Sequence, residues 1–558
     1  MTPRTHDADA VERAALRWPD APALEGVHRT FTYGELNHEV EVLAGALSRL
    51  RAAPPEGSPG GRLALVLENR LDTALLVHAG FRAGFTVAPL SPSLTPEELS
   101  AAFSALDPLV VVCDDATEGR VRGAGSRIDE DRRDGNRSRI VSTAETGSLI
   151  EAPDRGTGAT GDVGDDGERD RGDGTADRVG AGDADPGYVV WTSGSSGRPR
   201  GVLLTSASLT AVADGSARRL GLGPSDRWLT TLSLGHVGGL ATVLRAARTG
   251  ATLVIRDSFD AAELVGLAVE GRVTHASLVP LMLRRVLARG RGEPSPPELR
   301  CLLVGGAHAP PELVEKAVGL GYPVALTYGM TETSSQAATA APEKVRRKPH
   351  TVGTPLPGVD LRIADDGEIR VRGPTLAAGY VGAGAARGGN DKGDSPPNSA
   401  ADGLLPLDLD EDGWYRTGDL GRWDGDGDLV VAGRLSSRII TGGVTVDPAE
   451  VEEAPRSLPE VADAVVVGVP DEEWGERVSA VLVPEAWEKK SDAALPDSEA
   501  AADPHAVLLK KVDREMRRRL SGPKRPRLLR ILSALPRTPS GKVDRAEVRA
   551  VLEEWMGE

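Results

Sequence analysis

Tyr188-Val189-Val190-Trp191-Thr192-Ser193-Gly194-Ser195-Ser196-Gly197-Arg198-Pro199-Arg200-Gly201-Val202 sets an apolar run against a loop of little bulk. Seven of the ten residues from Thr192 to Gly201 are hydroxylated or glycine. Such a loop offers backbone N–H groups at unusual dihedral angles, several hydroxyl donors and then a fixed cation, a set that suits a polyphosphate. It is not a Walker A loop. The G-x-x-x-x-G-K-[ST] spacing fails, and the chain runs on into apolar Val202-Leu203-Leu204 and not directly into a helix. Taken alone, the loop is also compatible with a plain Gly-Ser hairpin.

On either side of the loop, short apolar runs alternate with amphipathic stretches. Residues 63–67, 69–82 and 85–90 give one strand–helix–strand rhythm, and 228–232, 239–248 and 251–255 give another. The rhythm continues through 275–279 and 281–288, then through 301–304, 311–320 and 323–327. Alternation of this kind predicts parallel sheets with helices on their faces, where ligands bind outside the carboxyl ends of the strands. Past about residue 353 the runs shorten and are broken by Gly, Pro and Asp, which predicts a small antiparallel, barrel-like β unit. From Arg434 onward, strands at 464–469, 478–483 and 528–532 and a basic helix at 508–520 predict a compact α+β domain.

The chain has 558 residues, 66 Lys+Arg against 83 Asp+Glu, and a net charge of −17. A net negative surface repels phosphate backbones and anionic lipid, so small molecules are the expected partners, with no nucleic acid. There is no run of eighteen apolar residues, and residues 1–10 hold no apolar core of a secretory signal, so a cytoplasmic protein without membrane insertion is expected. Whether copies associate stays open. Cys113 and Cys301 sit at the ends of apolar runs and read as buried thiols. Residues 151–187 are rich in Gly and Asp, as are 381–413 until their last third, and both read as flexible insertions, because neither buries enough surface to offset its ordering entropy. Their net charges are −7 and −5, so most of the acidity lies outside the expected folded body.

With four further motifs in order, the chain resembles the adenylate-forming superfamily of acyl-CoA ligases, luciferases and peptide-synthetase adenylation domains. Tyr328-Gly329-Met330-Thr331-Glu332-Thr333 looks like the segment that stacks on adenine, touches the α-phosphate and places a magnesium ligand, here Glu332. Trp414-Tyr415-Arg416-Thr417-Gly418-Asp419 resembles the segment whose Asp binds the ribose hydroxyls. Gly433-Arg434 followed by Gly442-Gly443 resembles the hinge region, and Pro536-Arg537-Thr538-Pro539-Ser540-Gly541-Lys542 the C-terminal lysine motif. The resemblance implies an adenylation domain over 1–433 and a mobile domain over 434–558. It implies ATP and Mg2+, with CoA as co-substrate.

Nucleotide contacts fall by the same resemblance on Thr192, Ser193, Gly194, Ser195, Ser196, Gly197, Arg200, Gly305, Gly306, Ala307, Tyr328, Gly329, Met330, Thr331, Asp419, Arg434 and Lys542. Catalysis falls on Thr192, Arg200, Thr331, Glu332 and Lys542, and the CoA arm would pass Gly442 and Gly443. Lys542 stands out in a chain with ten Lys against 56 Arg, as a compact mobile ammonium suited to developing phosphoryl charge. The chain departs from the family pattern at Arg200, where Lys is usual, and at the hinge, where Ser437 replaces Asp or Lys.

Ser233-Leu234-Gly235-His236-Val237-Gly238-Gly239-Leu240 with Arg245, the run 278–287 and the run 302–310 resemble the o-succinylbenzoate–CoA ligases of menaquinone synthesis. That subfamily must bury a second carboxylate that is not activated, for which Arg245, Ser334, Ser335 and Gln336 are candidates beside Gly329, while His236 could gate the acyl pocket. Another aryl- or acyl-CoA ligase, a stand-alone adenylation domain loading a carrier protein, and a non-catalytic nucleotide-binding relative remain the alternatives.

Overall fold

The structure, a computed structural model, describes residues 9–50, 61–131, 139–143, 187–192, 200–290, 292–381, 404–441, 444–471, 474–485, 504–520, 522–538 and 542–557. The chain divides into two interleaved compact units. One comprises Met1–Ser206, Ser233–Asp257 and Ala377–Pro406, the other Ala207–Leu232, Ser258–Leu376 and Leu407–Glu558. Each is described by itself.

In the first unit the strands Arg62–Val66, Thr86–Leu90, Val110–Cys113 and Arg139–Ser142 run parallel, with Val66 opposite both Leu90 and Cys113. The near-continuous apolar sequences of the first three are buried on both faces, as a helix-covered parallel sheet requires. The covering helix Leu71–Arg82 fits tightly: a Cβ on Gly80 would lie 2.5 Å from Leu63 Cδ2. The next helix, Pro96–Leu106, starts where its sequence dictates, with Thr95 and Glu98 forming a reciprocal capping box, Pro in the first turn, and Asp107 ending it at φ 45°. Gly187–Thr192 extends this sheet, and Arg200–Thr205 pairs antiparallel with it, Thr192 opposite Arg200. The loop quoted above therefore joins two strands.

In the second unit His275–Leu278, Cys301–Val304 and Val324–Tyr328 are parallel neighbours, flanked by Arg227–Thr230 and by antiparallel Ala338–Ala340. The smaller β unit, expected to be barrel-like, is a four-stranded antiparallel sheet of Asp360–Ile363, Glu368–Arg372, Tyr415–Trp423 and Leu429–Arg434. Beyond it, the strand Val461–Asp471 alternates its faces: Ala464 and Val466 enter one core with the helices Pro448–Arg456 and Pro504–Arg519. Val465, Val467 and Val469 enter a second core with the helix Arg545–Gly557. Cys113 and Cys301 are buried thiols.

Of the expected insertions, residues 151–186 and 382–403 lie outside the described residues. Residues 404–413 are built into the fold. Leu404–Leu405 pairs with Gly379–Val381, and in the other unit Asp410 accepts the Trp414 N–H at 2.9 Å and Arg370 at 2.7 Å. Leu404 and Leu407 supply the apolar burial that the Gly/Asp stretch before them lacks.

Candidate active site

In the second unit the parallel strands Cys301–Val304 and Val324–Tyr328 deliver Gly305-Gly306-Ala307 and Gly329-Met330-Thr331-Glu332 at their carboxyl ends. Gly329 is sterically required, since a Cβ there would lie 2.1 Å from the Ser335 carbonyl oxygen. The approach is close because the chain doubles back: Thr331–Thr333 forms a 3-10 turn, then Ser334 and Ser335 take positive φ values of 55° and 108°. Backbone strain of this kind costs of order 1–3 kcal/mol per residue and persists where the surroundings fix it. Here the Ser334 hydroxyl donates to the Thr375 carbonyl at 2.8 Å, and the Gln336 amide donates to Thr339 Oγ1 at 2.9 Å. Both side chains are buried and brace the turn. Thr331, Glu332 and Ser335 are half-buried on it.

Asp419 sits opposite Arg434 across the antiparallel pair Tyr415–Trp423 and Leu429–Arg434. Its Oδ1 lies 2.9 Å from Arg434 Nε, and its Oδ2 accepts the Tyr328 hydroxyl at 3.0 Å. Each oxygen keeps a further lone pair. With 6% of its surface exposed, Asp419 has a carboxyl raised by burial, against which Arg434 and Tyr328 pull down. Burial first, and the Asp419 charge second, holds the Tyr328 phenol well above its usual value. Thr417 and Glu368, passed over in the sequence, fix this corner: Thr417 Oγ1 accepts the Asp419 N–H and Glu368 Oε1 the Gly418 N–H, each at 3.0 Å.

Lys542 arrives on a short hairpin in which Arg537 bridges Val543 and the Thr538 N–H donates to the Lys542 carbonyl at 2.8 Å. Its side chain keeps solvent-accessible surface, yet enough protein surrounds it that desolvation lowers its pKa. Arg434 lowers it further, while Asp419 and Glu332 act in the opposite sense. The turn, Asp419 and the C-terminal lysine, far apart in sequence, thus share one electrostatic site. Such a site offers a carboxylate acceptor, a cation and a hard oxygen to a phosphorylated diol.

In the first unit Thr192 Oγ1 donates to the Arg200 carbonyl at 3.3 Å, and the Arg200 guanidinium lies 5.6 Å over the Tyr380 ring. Ser193, Gly194, Ser195, Ser196 and Gly197 lie outside the described residues, as do Gly442 and Gly443. His236 stands at the N-cap position of the helix Val237–Thr249, on which Arg245 is 2% exposed. The segment before it is clamped by residues the sequence did not mark. Asn69 Oδ1 accepts the Leu234 N–H at 2.9 Å, and a Cβ on Gly235 would lie 2.6 Å from the Ser91 nitrogen. Ser437 ends a 3-10 turn, Leu435–Ser437, just after Leu429–Arg434, and a Cβ on Gly433 would come within 3.0 Å of Asp447 Oδ1.

The profile of the AMP-binding enzyme family matches residues 11–381, and that of the AMP-binding enzyme C-terminal domain matches residues 450–542. The chain belongs to the AMP-binding enzyme family. Among similar relatives of this family member, the 2-succinylbenzoate–CoA ligase of Bacillus licheniformis is 32% identical, over 96% of this chain and 97% of that one. The 2-succinylbenzoate–CoA ligase of Geobacillus kaustophilus is 31% identical over 97% of each. The solved o-succinylbenzoate CoA synthetase of Bacillus subtilis, in complex with its acyl-adenylate intermediate, is 26% identical with a TM-score of 0.73, over 97% of this chain and 98% of that one. The same enzyme with ATP and magnesium ion superposes with a TM-score of 0.72, at 26% identity and over 97% and 99% of the two chains.

Proposed function

We propose that this chain is an o-succinylbenzoate–CoA ligase of menaquinone biosynthesis, working in the cytoplasm in two steps. The acid first becomes an acyl-adenylate with loss of pyrophosphate, and CoA then displaces AMP. The observation that supports the adenylating step is the Asp419–Arg434 pair, 2.9 Å apart and within electrostatic reach of Lys542. The choice of acid is supported by the full-length likeness to 2-succinylbenzoate–CoA ligases. Among the described residues no helix is long and apolar enough to cross a membrane.

In the first step a carboxylate oxygen of the acid bonds to the α-phosphorus of ATP, and the bond to the bridging oxygen of pyrophosphate breaks. The reaction needs no protein nucleophile, so the protein contributes position and charge. Asp419 accepts the ribose hydroxyls on the lone pairs that Arg434 and Tyr328 leave free. Thr331 and the Lys542 ammonium bind the α-phosphate and the attacking carboxylate. Thr192 and Arg200, with the loop between them, hold the outer phosphates. The likeness to o-succinylbenzoate–CoA ligases assigns Arg245, His236 and Ser335 to recognition of the acid. For the second step, a rotation about Ser437 withdraws Lys542 and brings Gly442 and Gly443 to the pantetheine arm.

Glu332 fits a magnesium ion carried by the nucleotide. Among the described residues there is no group of three His, Cys, Asp or Glu that could hold a metal, and magnesium commonly takes one or two carboxylates and completes its shell with phosphate oxygens and water. When bound, the ion neutralises phosphate charge.

The substrate assignment is tested by following pyrophosphate release over a panel of acids with ATP, magnesium and CoA. The expected result is fastest release with o-succinylbenzoate, and faster turnover of benzoates or fatty acids would overturn it. A pH profile tests Lys542. Because its ammonium is less basic than free lysine at 10.5, adenylation should fall as pH rises through a value below 10.5. In a Lys542→Arg variant, which stays charged throughout, any residual activity should lack that alkaline limb.

A further inference from the structure

The run 278–287 contains Arg284, which the reaction above leaves without a task. Arg284 lies half-buried in the helix Pro280–Arg289, and its Nη1 donates to the backbone carbonyl of Ala462. That carbonyl is available because the pairing of Val461–Asp471 with Gly475–Pro484 shifts register between Val461 and Asp463, leaving Ala462 out of the ladder. The next residue continues the connection. Asp463 Oδ2 accepts Arg537 Nη2 at 2.9 Å, while Oδ1 accepts Arg456 Nη2 at 3.4 Å and the Ala464 N–H at 2.9 Å. Arg537 is the residue that bridges Val543, so it sits at the root of the hairpin carrying Lys542.

His308, on the segment after Cys301–Val304, lies in the electrostatic field of Arg456 and Glu452. An isolated half-exposed ion pair contributes little to stability, about 0–1 kcal/mol. Position is a different matter, because a displacement of about 1 Å in a reacting group can cost about 100-fold in rate.

We propose that Arg284 and Asp463 form a positioning relay, Arg284 to Ala462, Asp463 to Arg537, which fixes the hairpin and holds Lys542 at the adenylation site. The inference rests on the adenylating role assigned to Lys542 above. Neither residue touches the reacting atoms. The relay belongs to the first step only, since rotation of the C-terminal domain for thioester formation breaks the Arg284–Ala462 bond.

The test measures the two half-reactions separately in the full chain: single-turnover pyrophosphate release, and CoA thioester formed from supplied acyl-adenylate. Arg284→Ala and Asp463→Ala should each lower the first rate about tenfold with the KM for ATP unchanged, and leave the second within about twofold. Arg284→Lys, which keeps a donor and a charge, should recover most of the loss. Arg285→Ala, an exposed neighbour on the same helix, should change neither rate. The double variant Arg284→Ala/Asp463→Ala should be no slower than the slower single one, as expected of two members of one path. Equal loss in both half-reactions, unchanged adenylation, no recovery by Lys, or multiplicative losses in the double variant would overturn the relay. The substrate reading fails separately: if the wild type adenylates another acid in preference to o-succinylbenzoate, that acid reports the same split. A wild type that adenylates no acid overturns both.

Discussion

Lys542→Ala should lower the rate of acyl-adenylate formation about 1,000-fold while leaving thioester formation from supplied acyl-adenylate within about twofold of the wild type. The magnitude follows from removing one preorganised charge from a site where negative charge develops, a loss of about 3–4 kcal/mol in the barrier. It should not come from a weakened fold. Burial makes the Lys542 ammonium easier to deprotonate than in free lysine, so its desolvation opposes folding and its removal leaves stability unchanged or slightly higher. The sign can be checked. A group whose folded pKa is depressed in this way costs stability below that pKa, and the cost disappears as pH rises towards 10.5. Thermal unfolding near neutral pH should therefore show Lys542→Ala at least as stable as the wild type. Equal loss in both half-reactions would contradict the assignment of Lys542 to the first step alone.

What the sequence made legible was local. The parallel strands follow from apolar runs such as 63–67 and 301–304, whose burial on both faces leaves no other way to place them. The position of the Gly/Ser loop between two strands was readable from the apolar residues on both sides of it. Contacts set by distant chain segments were not readable. Asn69 holds the segment of His236 from 165 residues away, and Arg284 reaches Ala462 across 178 residues. Neither shows a period or a motif, because one hydrogen bond imposes no pattern on its neighbours. Ser334 and Gln336 show what polarity alone leaves out. Their polarity suggested a ligand, whereas their donors are taken up by Thr375, Thr339 and the turn they stabilise. The interleaving of the two units is equally invisible in a linear reading, since Ser233–Asp257 joins one unit while both its flanks belong to the other.

Asp419→Ala should raise the KM for ATP roughly 100-fold and leave kcat within a few-fold. Two hydrogen bonds from ribose hydroxyls to an ionised carboxylate contribute about 1.5 kcal/mol each, and their sum of about 3 kcal/mol sets the factor. The ribose is remote from the reacting phosphorus, so these bonds are equally strong in the ground and transition states, and their loss belongs in KM. The variant should also lose about 1–3 kcal/mol of stability, because the Tyr328 hydroxyl is left buried without the acceptor now 3.0 Å away. Arg434, with about half its side-chain surface exposed, can turn to solvent at little cost. Asp419→Asn separates the two effects. Its amide oxygen can still accept from Tyr328, and the carboxyl that burial pushes up is gone, so most of the stability should return. Only one acceptor then remains for the ribose diol, and the KM for ATP should stay raised about tenfold. A fall in kcat with unchanged KM in either variant would move Asp419 from the ribose to the positioning of Arg434 and Lys542, whose charges it faces in the same corner.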